Sequence, residues 1–172
     1  DGDNGGLIYW LGTHHHTRKF ENPHDAGLVR VTSSGMEVGT EAAVVSRRRA
    51  PSRTKRSPES WICVDVGSQQ SLDVSHYSLC SGADREGFDM VNWVCEGYDV
   101  RTRMWVILTH DTTRTPLVLR SPYGVATWPV DSMGKSFRFI RLRSTGPNGA
   151  AGQALPVCAI ELYGRLFRQP EL

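Results

Sequence analysis

The chain lacks any apolar run near the roughly 20 residues that a membrane-crossing helix needs, so no membrane span is expected. It also lacks G-x-S-x-G, H-E-x-x-H and a P-loop, the motifs that would carry serine hydrolysis, zinc proteolysis or nucleotide chemistry. His110 and Asp111 are neighbours, but a catalytic triad is defined by geometry and not by adjacency. No enzyme and no cofactor are therefore expected. Excess charge is scarce: the formal net charge of +2 is too small to argue by itself for a nucleic-acid partner. Cysteine is sparse, and the spacings of 17, 15 and 63 between Cys63, Cys80, Cys95 and Cys158 fit no zinc pattern. Each of the four falls in an apparent strand, where a reduced cysteine acts as a small hydrophobe. Reduced structural thiols and an intracellular, cytoplasmic setting follow as expectations. Heptads and internal repeats are absent, and helix periodicity is confined to one short window, 83–91. The chain opens on an acidic, glycine-rich stretch without an initiator methionine or a secretory pattern, which suggests a segment of a larger protein or assembly.

What is present is β-sheet patterning. With 172 residues, 39% hydrophobic and 22% charged, the chain reads as a single folded domain over 1–172, large enough to bury a core without staples. Alternating apolar segments predict strands at 28–33, 61–66, 75–80, 92–98, 104–110, 117–119, 126–129, 136–144 and 157–163. The first apolar block, Leu7-Ile8-Tyr9-Trp10-Leu11-Gly12-Thr13, is rich in aromatic and β-favouring residues and also reads as a strand. Many short strands separated by Gly, Asn, Pro or Ser indicate a sandwich or barrel. The expected inter-sheet core is Ile62, Val64, Val66, Leu79, Val94, Ile140, Leu142, Ile160 and Leu162. Trp61, Trp93, Trp105 and Trp128 are expected to anchor it, because tryptophans within strands usually bury most of their area.

Residues 35–60 differ in kind. They read as a long surface loop with a short helical turn at 41–45, and loops of this length tend to carry function. Within it Arg47, Arg48, Arg49, Arg53, Lys55 and Arg56 place six positive charges in ten residues, leaving the remainder of the chain net acidic. These six are the candidate binding residues. They could engage an acidic protein surface, RNA phosphates or an anionic membrane surface, with strong salt dependence. No aromatic residue is interleaved between Arg47 and Lys55, which disfavours single-stranded nucleic acid and favours a protein or a polyanion in general. Ser46, Ser52, Thr54 and Ser57 flank the charges, and phosphorylation there would cut them. Elsewhere, three adjacent histidines, His14, His15 and His16, point in different directions and do not converge as metal ligands. No Asp/Asn-rich loop around Asp65 or Asp73 supplies the six to eight oxygens of a calcium site. Glu161 is expected to pair with Arg141 or Arg143.

Several motifs in order resemble a known family. Trp61-Ile62-Cys63-Val64-Asp65-Val66-Gly67, Asn92-Trp93-Val94-Cys95-Glu96-Gly97-Tyr98-Asp99 with Met104-Trp105, Phe137-Arg138-Phe139-Ile140-Arg141-Leu142, and Cys158-Ala159-Ile160-Glu161-Leu162-Tyr163-Gly164 resemble the discoidin-like (coagulation-factor C-type) modules. Asn4 to Thr13, Glu21-Asn22-Pro23 and Ala126-Thr127-Trp128-Pro129 are similar to a subgroup found within HECT-type ubiquitin ligases, sometimes labelled SUN-like, and within BTB-domain proteins. The likeness runs over roughly 4–164 and leaves 35–60 unmatched. It implies an all-β, jelly-roll β-sandwich of the galactose-binding-like class. It also implies a non-catalytic protein-interaction module, serving partner or substrate recognition inside a larger intracellular protein such as a ubiquitin ligase. A carbohydrate-binding module is the alternative, and a scaffold piece docking on acidic protein or RNA is a third. One superfold hosts many functions, so the resemblance transfers no ligand-contacting residue.

Overall fold

The computed structural model describes residues 4–84, 87–109 and 121–168. The described residues hold one short helix, α1 (Leu7–Gly12), followed by ten strands. These are β1 (Arg30–Ser33), β2 (Met36–Val38), β3 (Arg53–Thr54), β4 (Trp61–Asp65), β5 (Gln70–Ser81), β6 (Trp93–Asp99), β7 (Met104–Ile107), β8 (Val125–Pro129), β9 (Phe139–Ser144) and β10 (Val157–Arg168). A five-stranded sheet runs β1-β4-β9-β6-β7, a three-stranded sheet runs β10-β5-β8, and β2 pairs with β3. All the pairings are antiparallel. Among the described residues no helix is long and apolar enough to cross a membrane.

Alternation along each strand sends one set of side chains between the two larger sheets. Ile62, Val64, Leu79, Ile140, Leu142, Ile160 and Leu162 meet there as expected, with Val66 beside them. Val94 does not: it is half-buried, and its neighbours Trp93 and Cys95 fill the core instead. In a strand the side-chain period is two, so placing one residue inside places its neighbours outside. Of the four strand tryptophans only Trp93 is fully buried. Its indole Nε1 donates to the Tyr77 hydroxyl at 3.0 Å, and Trp128 stacks on Tyr77 and meets Trp93 edge-on, both at 5.2 Å. Trp61 and Trp105 are half-buried and lie on the outer face of the five-stranded sheet, opposite Arg143 and Tyr98 in register.

Three segments differ from the sequence reading. Leu7–Gly12 is helical, because Leu7, Ile8 and Leu11 recur at helix spacing and all three bury. Residues 83, 84 and 87–91 of the supposed helix window are irregular. There the Asn148 side-chain oxygen accepts from the backbone N–H groups of Val91 and Asn92, both at 2.8 Å. The 35–60 stretch is more structured than a loop: β2 and β3 pair within it, and Ala42–Val45 forms the expected short turn as a 3-10 helix that buries Val44 and Val45. The predicted strand at 117–119 lies outside the described residues.

Candidate functional site

The outer face of the three-stranded sheet carries a cleft of about 640 Å³. Its floor comes from alternate residues of three strands: Ser78 and Cys80 on β5, Thr127 on β8, and Glu161 and Tyr163 on β10. Arg47, Arg48 and Arg49 form its rim, on the segment that follows the 3-10 turn. Local backbone chemistry turns this segment. The Ser46 hydroxyl donates to the Ala43 carbonyl at 2.8 Å and accepts from the Arg48 N–H at 3.2 Å, and Arg47 adopts a left-handed φ of 62°.

Arg47 is held from several sides. Its guanidinium lies 4.4 Å over the Tyr9 ring and 5.8 Å from that of Phe20, with a nitrogen 3.9 Å from Glu161 Oε2. Glu161 in turn accepts from the N–H groups of Ile8 at 2.7 Å and Tyr9 at 3.1 Å, tying β10 to the first turn of α1. A Cβ at Gly6 would overlap this carboxylate, so any larger residue where the helix begins would have to displace it. Burial pushes the Glu161 carboxyl up to about 7, against the pull of the Ile8, Leu162 and Tyr9 N–H groups and of Arg47. The expected pairing of Glu161 with Arg141 or Arg143 is thus corrected. Both arginines sit on β9 in the other sheet and bind Glu96, through Arg141 Nε at 2.6 Å and an Arg143 terminal nitrogen at 2.8 Å.

Hydroxyls continue the floor. Ser78 and Thr127 hydroxyls are 2.6 Å apart, and Ser78 donates to the Tyr163 hydroxyl at 3.3 Å. With three guanidiniums above, the cleft is rich in donors and suited to oxyanions such as carboxylates.

The six basic residues separate. Arg47, Arg48 and Arg49 share the cleft. Arg53 is on β3, bound to Glu37 at 2.7 Å and to Asp84 at 3.5 Å, with its guanidinium 5.0 Å from the Phe88 ring. Lys55 and Arg56 are exposed beyond it, with Lys55 against Gly35 and Arg56 near Gly152. Of the flanking hydroxyl residues, Ser52 and Thr54 are buried, which removes them as accessible phosphorylation sites. The cleft was not legible as a unit, because its floor needs strands that are neighbours only in space.

Other sequence candidates resolve into structural roles. Asp65 accepts two hydrogen bonds from Arg138, at 2.7 and 2.8 Å, and one from the Gly67 N–H. Asp73 accepts from Ser132. His14, His15 and His16 form a tight turn with φ of 47°, 63° and 65°, and His15 stacks on Trp10 at 3.8 Å. Among the described residues no group of three His, Cys, Asp or Glu could hold a metal ion. His110 and Asp111 lie outside the described residues. All four cysteines are free and buried.

No protein-family model matches the chain. Among curated proteins it is similar to the E3 ubiquitin-protein ligase Ufd4 of Drosophila melanogaster, 28% identical over 176 residues. It is also similar to a BTB/POZ domain-containing protein of Arabidopsis thaliana, 26% identical over 179 residues. The matches cover 96% and 95% of this chain but only 6% and 21% of those proteins. They are the two protein types that the subgroup resemblance implied. Among solved structures it is similar to CpGH89CBM32-5 from Clostridium perfringens in complex with GalNAc-β-1,3-galactose, with TM-score 0.60, 9% identity, and 80% and 96% of the two chains covered. The family 32 carbohydrate-binding module of C. perfringens NanJ in complex with galactose gives TM-score 0.60 at 10% identity over 79% and 93%. A Streptococcus pneumoniae fucose binding module gives 0.57 at 17% over 78% and 90%. At such identities the likeness concerns the fold, and it agrees with the two packed antiparallel sheets: the chain has an all-β jelly-roll sandwich fold like that of these galactose-binding-like modules.

Proposed function

We propose that this chain is a non-catalytic protein-interaction module of a larger intracellular protein, and that it docks an acidic segment of a partner in the arginine-rimmed cleft. The observation that carries this reading is the convergence of Arg47, Arg48 and Arg49 above a floor of hydroxyls. Guanidiniums bind carboxylates through parallel N–H donors, and several together steer an acidic partner from a distance. Similarity to short stretches of a ubiquitin ligase and a BTB/POZ protein supports a module that positions a partner for other domains, such as the substrate of a ligase. The sandwich then holds the cleft rigid, while chemistry belongs elsewhere in the parent protein.

The test is partner capture from native lysate with the wild-type chain, with Arg47, Arg48 and Arg49 changed to serine, and with Lys55 and Arg56 changed to serine. A discrete protein set lost only from the first variant is the expected result. An identical set on all three would place recognition elsewhere on the sandwich. A carbohydrate-binding role is the second reading, favoured by the fold likeness to modules solved with galactose and GalNAc-β-1,3-galactose. Retention on a galactose or GalNAc resin, unaffected by the arginine changes, would replace the first reading with it.

A further inference from the structure

Two of the four cysteines meet across strands at the edge of this cleft. Cys80 on β5 lines it, and Cys158 on β10 lies at a register shift between Val157, opposite Ser81, and Ala159, opposite Cys80. A shift of this kind adds a residue to one strand and re-aims its side chains. Both thiols donate to the same acceptor, the Ser81 carbonyl, at 3.9 Å from Cys80 and 3.2 Å from Cys158. Cys80 also lies 3.5 Å from the Tyr123 carbonyl. Cys158 additionally accepts from the backbone of Ala50, and the Arg49 charge acts on Cys80. The pair therefore sits beneath the segment that carries the cleft arginines.

We propose that Cys80 and Cys158 are a redox modification site: peroxide enters through the cleft, oxidises Cys80, and Cys158 closes an intrachain disulfide between β5 and β10. In the first step an electron pair of the Cys80 thiolate attacks one peroxide oxygen. The O–O bond breaks, and the departing hydroxide takes a proton to become water, leaving a sulfenic acid. In the second step the Cys158 sulfur attacks Cys80 Sγ and the S–O bond breaks. The hydroxide that leaves combines with the Cys158 proton. Two thiols and one hydrogen peroxide thus give one disulfide and two waters.

The four thiols differ in the way this requires. The neighbouring Cys158 lowers the Cys80 thiol despite burial, and Arg49 lowers it further. Cys158 is raised by the neighbouring Cys80 and by burial. Cys80 lines the cleft and Cys158, more deeply buried, does not, so Cys80 is the sulfur that peroxide meets and Cys158 the partner that resolves it. Burial pushes Cys63 up to about 12, and Cys95 is raised by complete burial in the core. Neither lines the cleft. Peroxide is close to water in size, so it can reach a cleft-lining thiol that is only 5% exposed. The modification does not depend on what the cleft binds, so its test is separate from that of the interaction reading.

The experiment is stepwise addition of hydrogen peroxide to the whole chain, followed by peptide mapping without reduction. A cross-linked pair of peptides containing Cys80 and Cys158 is expected, with loss of the two thiol hydrogens. Dithiothreitol should reverse it. In Cys158→Ser, Cys80 should be trapped as its sulfenic acid by dimedone. Unmodified wild type also reports directly: Cys80 should alkylate with iodoacetamide about tenfold or more faster than Cys63 and Cys95. A cross-link involving Cys63 or Cys95, or a fully reduced Cys80 at peroxide levels that oxidise free cysteine, would overturn the proposal.

Discussion

Changing Glu96 to glutamine should cost the fold about 2–3 kcal/mol. Glu96 is 3% exposed and lies on the outer face of the five-stranded sheet, bound by Arg141 Nε at 2.6 Å and by Arg143 nitrogens at 2.8 and 3.2 Å. Arg141 also lies 3.9 Å over the Trp105 ring. Removing one partner of a buried ion pair typically costs about 3–5 kcal/mol, because the other charge stays behind uncompensated. Here the arginine side chains retain 17% and 20% exposure, which keeps part of their hydration and lowers the figure. Glutamine preserves the shape but turns an N–H donor toward guanidinium donors. For a chain of 172 residues, a loss of that size lowers the melting temperature by about 4–12 °C. Urea unfolding followed by tryptophan fluorescence measures it. Glu59→Gln is the control: Glu59 meets Arg143 at 3.3 Å but its side chain is 74% exposed, so the change should cost under about 0.5 kcal/mol. The sign with pH follows as well. Burial raises the Glu96 carboxyl, but hydrogen bonds from Arg143 and Arg141 outweigh it and hold it below the ordinary carboxylate range. Its stabilisation is present above the unfolded value of about 4.3 and is lost as pH falls through the folded one. Glu96→Gln should therefore be less sensitive to acid. A loss under about 1 kcal/mol for Glu96→Gln, with an unchanged acid limb, would refute the reasoning by making the pair no better than an exposed one.

Further expectations concern the helix and the core. Glu161, pushed up to about 7, contributes stability that is fully present below the unfolded carboxylate value and declines as pH rises through about 7, so Glu161→Gln should flatten the urea midpoint between pH 5 and 8. Gly6→Ala forces a methyl into the Glu161 carboxylate, and should cost about 1–3 kcal/mol with faster amide exchange across α1. Tyr77→Phe removes the acceptor of the Trp93 Nε1 hydrogen bond. It leaves a buried donor unpaired at about 1–3 kcal/mol, visible in urea unfolding.

The strands were legible wherever alternation was clean. Ile62 with Val64, Ile140 with Leu142, and Ile160 with Leu162 reveal an inward face without any knowledge of the partner strand. The sixth strand misleads because Trp93, Val94 and Cys95 are all apolar, so pattern alone does not choose which of them face inward. Residues 7–12 carry aromatics that favour strands, but their burial spacing and the docked Glu161 carboxylate make them a helix. Partners depend on strand order, which sequence does not display: β9 lies between β4 and β6 and brings Arg141 and Arg143 to Glu96, while β10 belongs to the other sheet. The basic cluster was visible as a charge run. Only the fold divides it into three cleft arginines, an arginine bound to Glu37 and Asp84, and two exposed cations.

The most direct test of the cleft as an interaction site is an NMR titration of the isotopically labelled chain with a short glutamate-rich peptide, at low and at raised salt. The account predicts shifts confined to Arg47–Arg49 and to Ser78, Thr127, Glu161 and Tyr163, weakened by salt and abolished when the three arginines become serine. Shifts clustered away from these residues, or a chain that ignores the peptide and responds instead to galactose, would contradict it.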